Sequence, residues 1–349
     1  HKLQRRGGLL YFSRCEKSDL ADIDGGRSRN WGVVMKFVLF NDGVPGLLRD
    51  DGVVDISQAV EPVGAGRGQN AMEAVIVNVD ALREEFERLG EAGDAIPLSD
   101  VTLEAPLPWP NKILCMGENF QEFGAREPEA MWGFQKAQDA IIGPGGTVVL
   151  PDIDANIFHH EAELVAVFGR GGKDIKQADA MSYVFGYTCG VDVSARVYSG
   201  GPRPTRAPNE LPVVSHKSYD TFAPIGPCIV TADEIGDPHK LQVQLRVNDE
   251  PRVNYNTDDM AHSIAESIEF VSAIEEVSPG DIFYVGTNHQ GLGAMQDGDT
   301  IEIEIEGIGP FSFQVSDPLK RRWTRGVDEA TAKDIRESAG GPGAKVRPL

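Results

Sequence analysis

The sequence predicts an α+β chain that is mostly β, and three observations carry this. "LQVQLRVND" alternates Leu241, Val243, Leu245 and Val247 on one face, and "TIEIEIEGIG" alternates Ile301, Ile303 and Ile305 with Glu302, Glu304 and Glu306. Alternation of period two marks half-buried strands. "HHEAELVAVFGRGG" becomes apolar on both faces from Leu164 to Phe168, as a strand central in a sheet does. Against these stands one clear helix, Asp258 to about Glu276. Ile264, Ile268, Val271 and Ile274 form its apolar stripe, Thr257 or Asp258 can cap it, and Ser278-Pro279-Gly280 stops it.

Residues 1–34 do not read as structure, and Met35, which opens "MKFVLFNDGVPGLL", is read as the native start. Residues 35–105 form a small N-terminal α+β domain: a strand, a turn at Asn41-Asp42-Gly43, a second strand and a helix-like stretch from Ala71 to Leu89. The proline-punctuated "LEAPLPWPNKILCMGEN" marks the boundary and runs into a strand at Ile113–Met116. The larger domain, 106–325, follows. Its last strand turns at Gly307 to Pro310 into Phe311, Phe313 and Val315, a hairpin. Residues 326–349 are a polar, Gly/Pro-punctuated tail expected to fray.

At 349 residues and 41% hydrophobic composition the chain can bury a substantial core. With 54 acidic against 33 basic residues, a net charge of -21 argues against nucleic acid or an anionic membrane surface as a partner. No apolar run approaches the roughly 20 residues needed to span a bilayer. Cys15, Cys115, Cys189 and Cys228 lie far apart with no C-x-x-C pair, so a reducing, cytoplasmic setting is expected.

In "IFHHEAELVAVFGRGG", alternation puts Glu161 and Glu163 on one face, about 7 Å apart along the strand. Two carboxylates entering a buried strand are costly unless something compensates them. A hard divalent cation with oxygen ligands would do so and leave positions open for substrate. The plainer alternative pairs one Glu with an arginine and leaves the other at a solvated strand end. A run from Tyr183 to Val191 delivers a third acid, Asp192, at a strand end, where ligands collect. Asp192 could also be only a turn or cap residue. Beside Glu161 and Glu163 it would complete a three-carboxylate set suited to Mg²⁺ or Mn²⁺, with Ca²⁺ also possible.

From about Lys112 to Val315 the chain resembles the catalytic domain of the fumarylacetoacetate hydrolase family. That family includes acylpyruvate hydrolases, oxaloacetate decarboxylases and homoprotocatechuate-pathway isomerase/decarboxylases. The matching stretches fall in family order: "KILCMGENF", "AIIGPGGTVVLP", "HHEAELVAVFGRGGKDI", "GYTCGVDVSAR", "HKSYDTFAPIGPCIVTADEI", "DDMAHSIAESIEFVS", "VSPGDIFYVGTNHQGLG" and "MQDGDTIEIEIEGIG". The resemblance implies a mixed, strongly bent β-sheet roll, a homodimer, and metal ligands at Glu161, Glu163 and Asp192. It also implies that Arg196 and Lys217 hold and polarise an oxo-acid substrate and that Thr287 meets its acid end. The alternative for Arg196 and Lys217 is structural neutralisation of excess carboxylates.

The chain departs from the family in three places. His159 and His160 stand where the family has Asp before its E-x-E pair, and Ser199 replaces the Gln of its Arg-x-x-Gln. Hydrolytic members also carry a lid histidine with a Glu three residues later. Here the lid reads Asn119, Phe120, Gln121, Glu122, Phe123, then Arg126. Either Phe123 is an apolar wall that favours decarboxylation or isomerisation, or another base serves: Glu122 or Glu127 on the lid, or His159, His160 or His289. Lys217 and Glu127 are the expected catalytic pair. The expected function is a metal-dependent enzyme acting on a small 2-oxo acid or 1,3-dicarbonyl through its enolate. Hydrolysis of a C–C bond is the first reading, with decarboxylation, hydration, isomerisation or a non-catalytic metabolite-binding role as alternatives. Glu161→Ala or Asp192→Ala is expected to remove metal binding without unfolding the chain.

Overall fold

The computed structural model describes residues 34–64, 66–197 and 209–337. Residues 1–33, residue 65, residues 198–208, with Ser199 among them, and residues 338–349 lie outside the described residues.

The mixed, mostly β architecture read from the sequence is what the chain forms. The large sheet runs in spatial order through Val44–Arg49, Lys36–Phe40, Ala223–Thr231, Val184–Val197, Ala155–Phe168, Ile282–Tyr284, Ile113–Met116 and Gly133–Lys136. Along this path only Ile282–Tyr284 and Ile113–Met116 pair in parallel. The boundary read at residue 105 therefore falls within a continuous sheet, since Lys36 pairs with Val230 and Phe37 with Ile229. The helix Gln69–Ala92 packs across this seam, with Phe86 edge-on to Phe37 at 5.2 Å. Each such buried ring contributes about 1.5–3 kcal/mol.

The second sheet joins Glu250–Asn256, Gln242–Val247, Thr300–Ile305 and Gly309–Ser316. Its register puts Val243 opposite Ile305, Leu245 opposite Ile303 and Val247 opposite Ile301, and all six are buried. The alternation seen in the sequence is thus the alternation of core and solvent.

Two elements differ from expectation. The helix placed at Asp258 starts at Ile264 and ends at Ile274, because a separate 3₁₀ turn takes Thr257–Asp259. Ser263 caps the helix, accepting the Glu266 N–H while the Glu266 side chain accepts the Ser263 N–H. The tail expected to fray carries a helix, Glu329–Glu337, which buries Thr331, Ala332 and Ile335. Asp328 anchors its start by accepting from the N–H and hydroxyl of Thr331.

All fourteen residues of Ala155–Phe168 are buried, including polar ones. His160 is among them, and neither ring nitrogen has a hydrogen-bond partner. Burial lowers its pKa to about 3, against roughly 6.5 in an unfolded chain. Unfolding then takes up a proton at His160, and stability falls as pH drops from about 6.5 towards 3. His160→Leu is expected to raise stability by about 1–3 kcal/mol near pH 6 and to flatten the acid limb, as measured by denaturant titration at several pH values.

Candidate active site: a buried carboxylate cluster

Register assembles the site. Ala155–Phe168 and Val184–Val197 are antiparallel neighbours with Glu161 opposite Asp192 and Glu163 opposite Gly190. Alternation puts Glu161 and Glu163 on one face, and cross-strand pairing adds Asp192 to it. Each of the three offers a carboxylate oxygen within 4.8 Å of the others, and all three are buried. Gly190 is required by close packing, since a Cβ there would lie 2.5 Å from Val165 Cγ2 and 2.7 Å from the Tyr284 ring.

Three cations close round the cluster. Lys217, from the 3₁₀ turn Ser215–Lys217, donates to Glu161 Oε2 at 2.7 Å and to Asp192 Oδ2. Arg196, two alternations beyond Asp192, bonds Glu161 Oε1 through Nη2. Its Nε donates to His159 Nδ1 at 3.2 Å, and His159 Nε2 meets Asp328 Oδ2 at 3.2 Å. Both nitrogens of His159 are thereby engaged, so it is not a free base. Lys136, at the end of Gly133–Lys136, lies 2.5 Å from Asp192 Oδ1 and also bonds the Lys217 carbonyl.

The charges are unevenly shared. Against the upward push of burial, Lys217 and Arg196 hold Glu161 well below the usual carboxylate range. Burial, reinforced by Asp192 and Glu161, drives Glu163 well above it, with the Gly286 N–H donating at 2.6 Å as its hydrogen bond. A divalent cation with hard oxygen ligands would supply the positive charge that Glu163 lacks, so the donor set fits such an ion. The arginine pairing weighed as the plainer alternative for Glu161 is present, yet neither Glu lies at a solvated strand end.

Residues 112–316 match the family described as fumarylacetoacetate (FAA) hydrolase C-terminal. The chain belongs to the fumarylacetoacetate hydrolase family. Among solved structures it is similar to the maleylpyruvate hydrolase of Sphingobium sp. SYK-6 in complex with manganese(II) and pyruvate. That likeness has a TM-score of 0.70 at 33% identity and covers 81% of this chain and 99% of that one. The 2-hydroxyhepta-2,4-diene-1,7-dioate isomerase of Mycobacterium marinum aligns at TM-score 0.55 and 36% identity, over 65% of this chain and 82% of the other. Human oxaloacetate tautomerase FAHD2B, mitochondrial, is 37% identical over 61% of this chain and 69% of its own length. This chain is an enzyme of that family, and its carboxylate cluster is a divalent-metal site in donor chemistry. Among the described residues no helix is long and apolar enough to cross a membrane.

The sequence-derived set converges only in part. Glu161, Glu163, Asp192, Arg196 and Lys217 meet in one place. Thr287 is buried and follows Gly286, whose N–H binds Glu163. Glu127 does not join them: it is exposed and lines a surface pocket with Arg126, Glu129 and Arg336. The lid folds back on itself, with the Arg126 N–H bonded to the Gln121 carbonyl, and the acid it buries is Glu122, 1% exposed. Glu122 meets His289, at 2.5 Å between Oε1 and Nδ1 and 2.9 Å from Oε2 to the His289 N–H. Phe123 is 59% exposed and lines a second surface pocket with Asn288 and Arg252, so it forms no wall over the cluster in this structure. Sequence reading missed Lys136, which ends the short strand Gly133–Lys136.

Proposed function

We propose that this enzyme hydrolyses a C–C bond in a small 2-oxo acid or 1,3-dicarbonyl compound of the acylpyruvate class. The observation that carries the reading is the burial of Glu161, Glu163 and Asp192 together, with Lys217 and Arg196 at their edge. The three carboxylates would hold the ion, Mg²⁺ in our reading, with Mn²⁺ or Ca²⁺ as alternatives. When bound it supplies Lewis-acid stabilisation of negative charge on the substrate's oxygens. Arg196 takes the substrate's carboxylate, which suits a planar guanidinium. Lys217 donates to the oxygen on which enolate charge develops, and Thr287 offers its hydroxyl to the acid end. A buried ammonium needs anionic partners, and a bound oxo acid adds one to those Lys217 already has.

A second reading, keto–enol conversion of an oxo acid such as oxaloacetate, is favoured by the likeness to a relative named oxaloacetate tautomerase. It uses the same residues and needs no attacking water. Turnover of acylpyruvates and oxaloacetate, with and without the ion, in ¹⁸O-water separates the two. Label in the released carboxylic acid is the expected result. Interconversion without cleavage supports the second reading, and no turnover by the ion-loaded protein contradicts both. We also read 106–325 as the catalytic domain, the chain as a cytoplasmic homodimer, and its partner as the small oxo acid rather than nucleic acid or membrane. A monomer by light scattering at micromolar concentration counts against the dimer.

A further inference from the structure

We propose that Glu122 and His289 form a histidine–carboxylate couple that moves the proton in this site, with Nε2 of His289 as the atom that accepts and returns it. The inference rests on the hydrolytic reading above and names a base for it.

The glycine-rich loop places His289. The Val285 N–H donates to the Leu164 carbonyl, the Gly286 N–H to Glu163, and the Met295 N–H to the Phe158 carbonyl. Residues 286–294 therefore arch along the part of Ala155–Phe168 that carries Glu161 and Glu163. His289 lies midway in the arch and is 5% exposed. A carboxylate only accepts, so the bond to Glu122 puts the ring proton on Nδ1 and leaves the Nε2 lone pair free. No described residue bonds Nε2.

The lid is held in an unfavourable shape to deliver Glu122. Glu122 and Phe123 both take left-handed backbone, with φ of 57° and 58°, and neither is glycine. Such residues cost about 1–3 kcal/mol each and persist where surroundings enforce them. Asp259 does so here, accepting the Phe123 N–H at 3.0 Å and the Asn288 side-chain amide at 2.8 Å, and Gln290 donates to the Glu122 carbonyl. One acid thus ties the lid turn to the loop that carries His289.

In the hydrolytic reading, Nε2 takes a proton from water as the water oxygen bonds to the substrate's carbonyl carbon. The C–C bond then breaks with its electron pair going to the departing carbon as an enolate. His289 returns the proton to that carbon, so the ring ends as it began. Glu122 orients the ring and stabilises its charged form.

Three measurements test the couple. In the metal-free protein, ¹⁵N-histidine spectra should show a low-field Nδ1–H resonance for His289 that Glu122→Gln removes. In the Mn²⁺-loaded protein, His289→Gln should keep ion affinity and acylpyruvate KM while kcat falls about 10²–10⁴-fold. Added imidazole should restore part of the activity of His289→Ala. Near-native kcat in His289→Gln overturns the couple and leaves the carboxylate site standing. Parallel loss of ion affinity and kcat, with no imidazole rescue, marks a purely structural latch and also overturns it. If the native chain takes up no ion and turns over no oxo acid, the reading beneath the couple fails and the couple falls with it.

Discussion

Asp192→Asn is expected to abolish divalent-ion uptake and to lower turnover on the order of 10³-fold or more, the several kcal/mol a Lewis acid contributes. Calorimetric ion titration beside steady-state kinetics checks it. Asparagine keeps the shape and one carbonyl oxygen, which can accept from one of the two ammonium groups that Asp192 bonds, so the fold should be disturbed less than by alanine. Alanine is a different case. The expectation that removing an acid from this cluster costs little assumed that the carboxylates mainly repel one another. Asp192 instead bonds both Lys136 and Lys217, and the Lys136 side chain is fully buried. Asp192→Ala strips both ammoniums of a partner and is expected to destabilise the chain by about 3–5 kcal/mol, read by denaturant unfolding.

Lys217→Met should separate chemistry from ion binding. The ammonium is fixed between Glu161 and Asp192 and, against burial, these acids raise its pKa, so it stays charged throughout the assay range. It lies near the Phe134 ring at 4.9 Å, an environment the methionine stem can fill. Without the ammonium the carboxylates lose a competing cation, so ion affinity should hold or rise. Turnover should fall on the order of 10²–10³-fold, the effect of removing one donor to a developing oxyanion. Loss of ion binding in this variant would make Lys217 a structural counter-ion rather than a reacting group.

Local periodicity gave the strands their faces. Val243 to Val247 and Ile301 to Ile305 alternate in sequence and in burial, because period two is fixed by backbone geometry. The same rule put Glu161 and Glu163 on one face. It could not pair Glu161 with Asp192, thirty-one positions away, since register between strands depends on long-range pairing. Lys136 was hidden for the same reason: its partners, Asp192 and the Lys217 carbonyl, come from other parts of the chain. Glu122 and His289 were both visible as acid and base candidates, but their contact depends on a non-glycine left-handed turn that no propensity rule anticipates. The tail was misjudged because polar composition outweighed three small or apolar positions, Thr331, Ala332 and Ile335, which the helix buries on one side.

The central claim is that Glu161, Glu163 and Asp192 hold a divalent ion to which a 2-oxo acid binds. Titration of Mn²⁺ and then pyruvate into the metal-free chain by calorimetry tests it most directly. One ion per chain is expected, with pyruvate binding only after the ion and both events lost in Asp192→Asn. Ion uptake unchanged in that variant, or pyruvate binding without the ion, would contradict the claim.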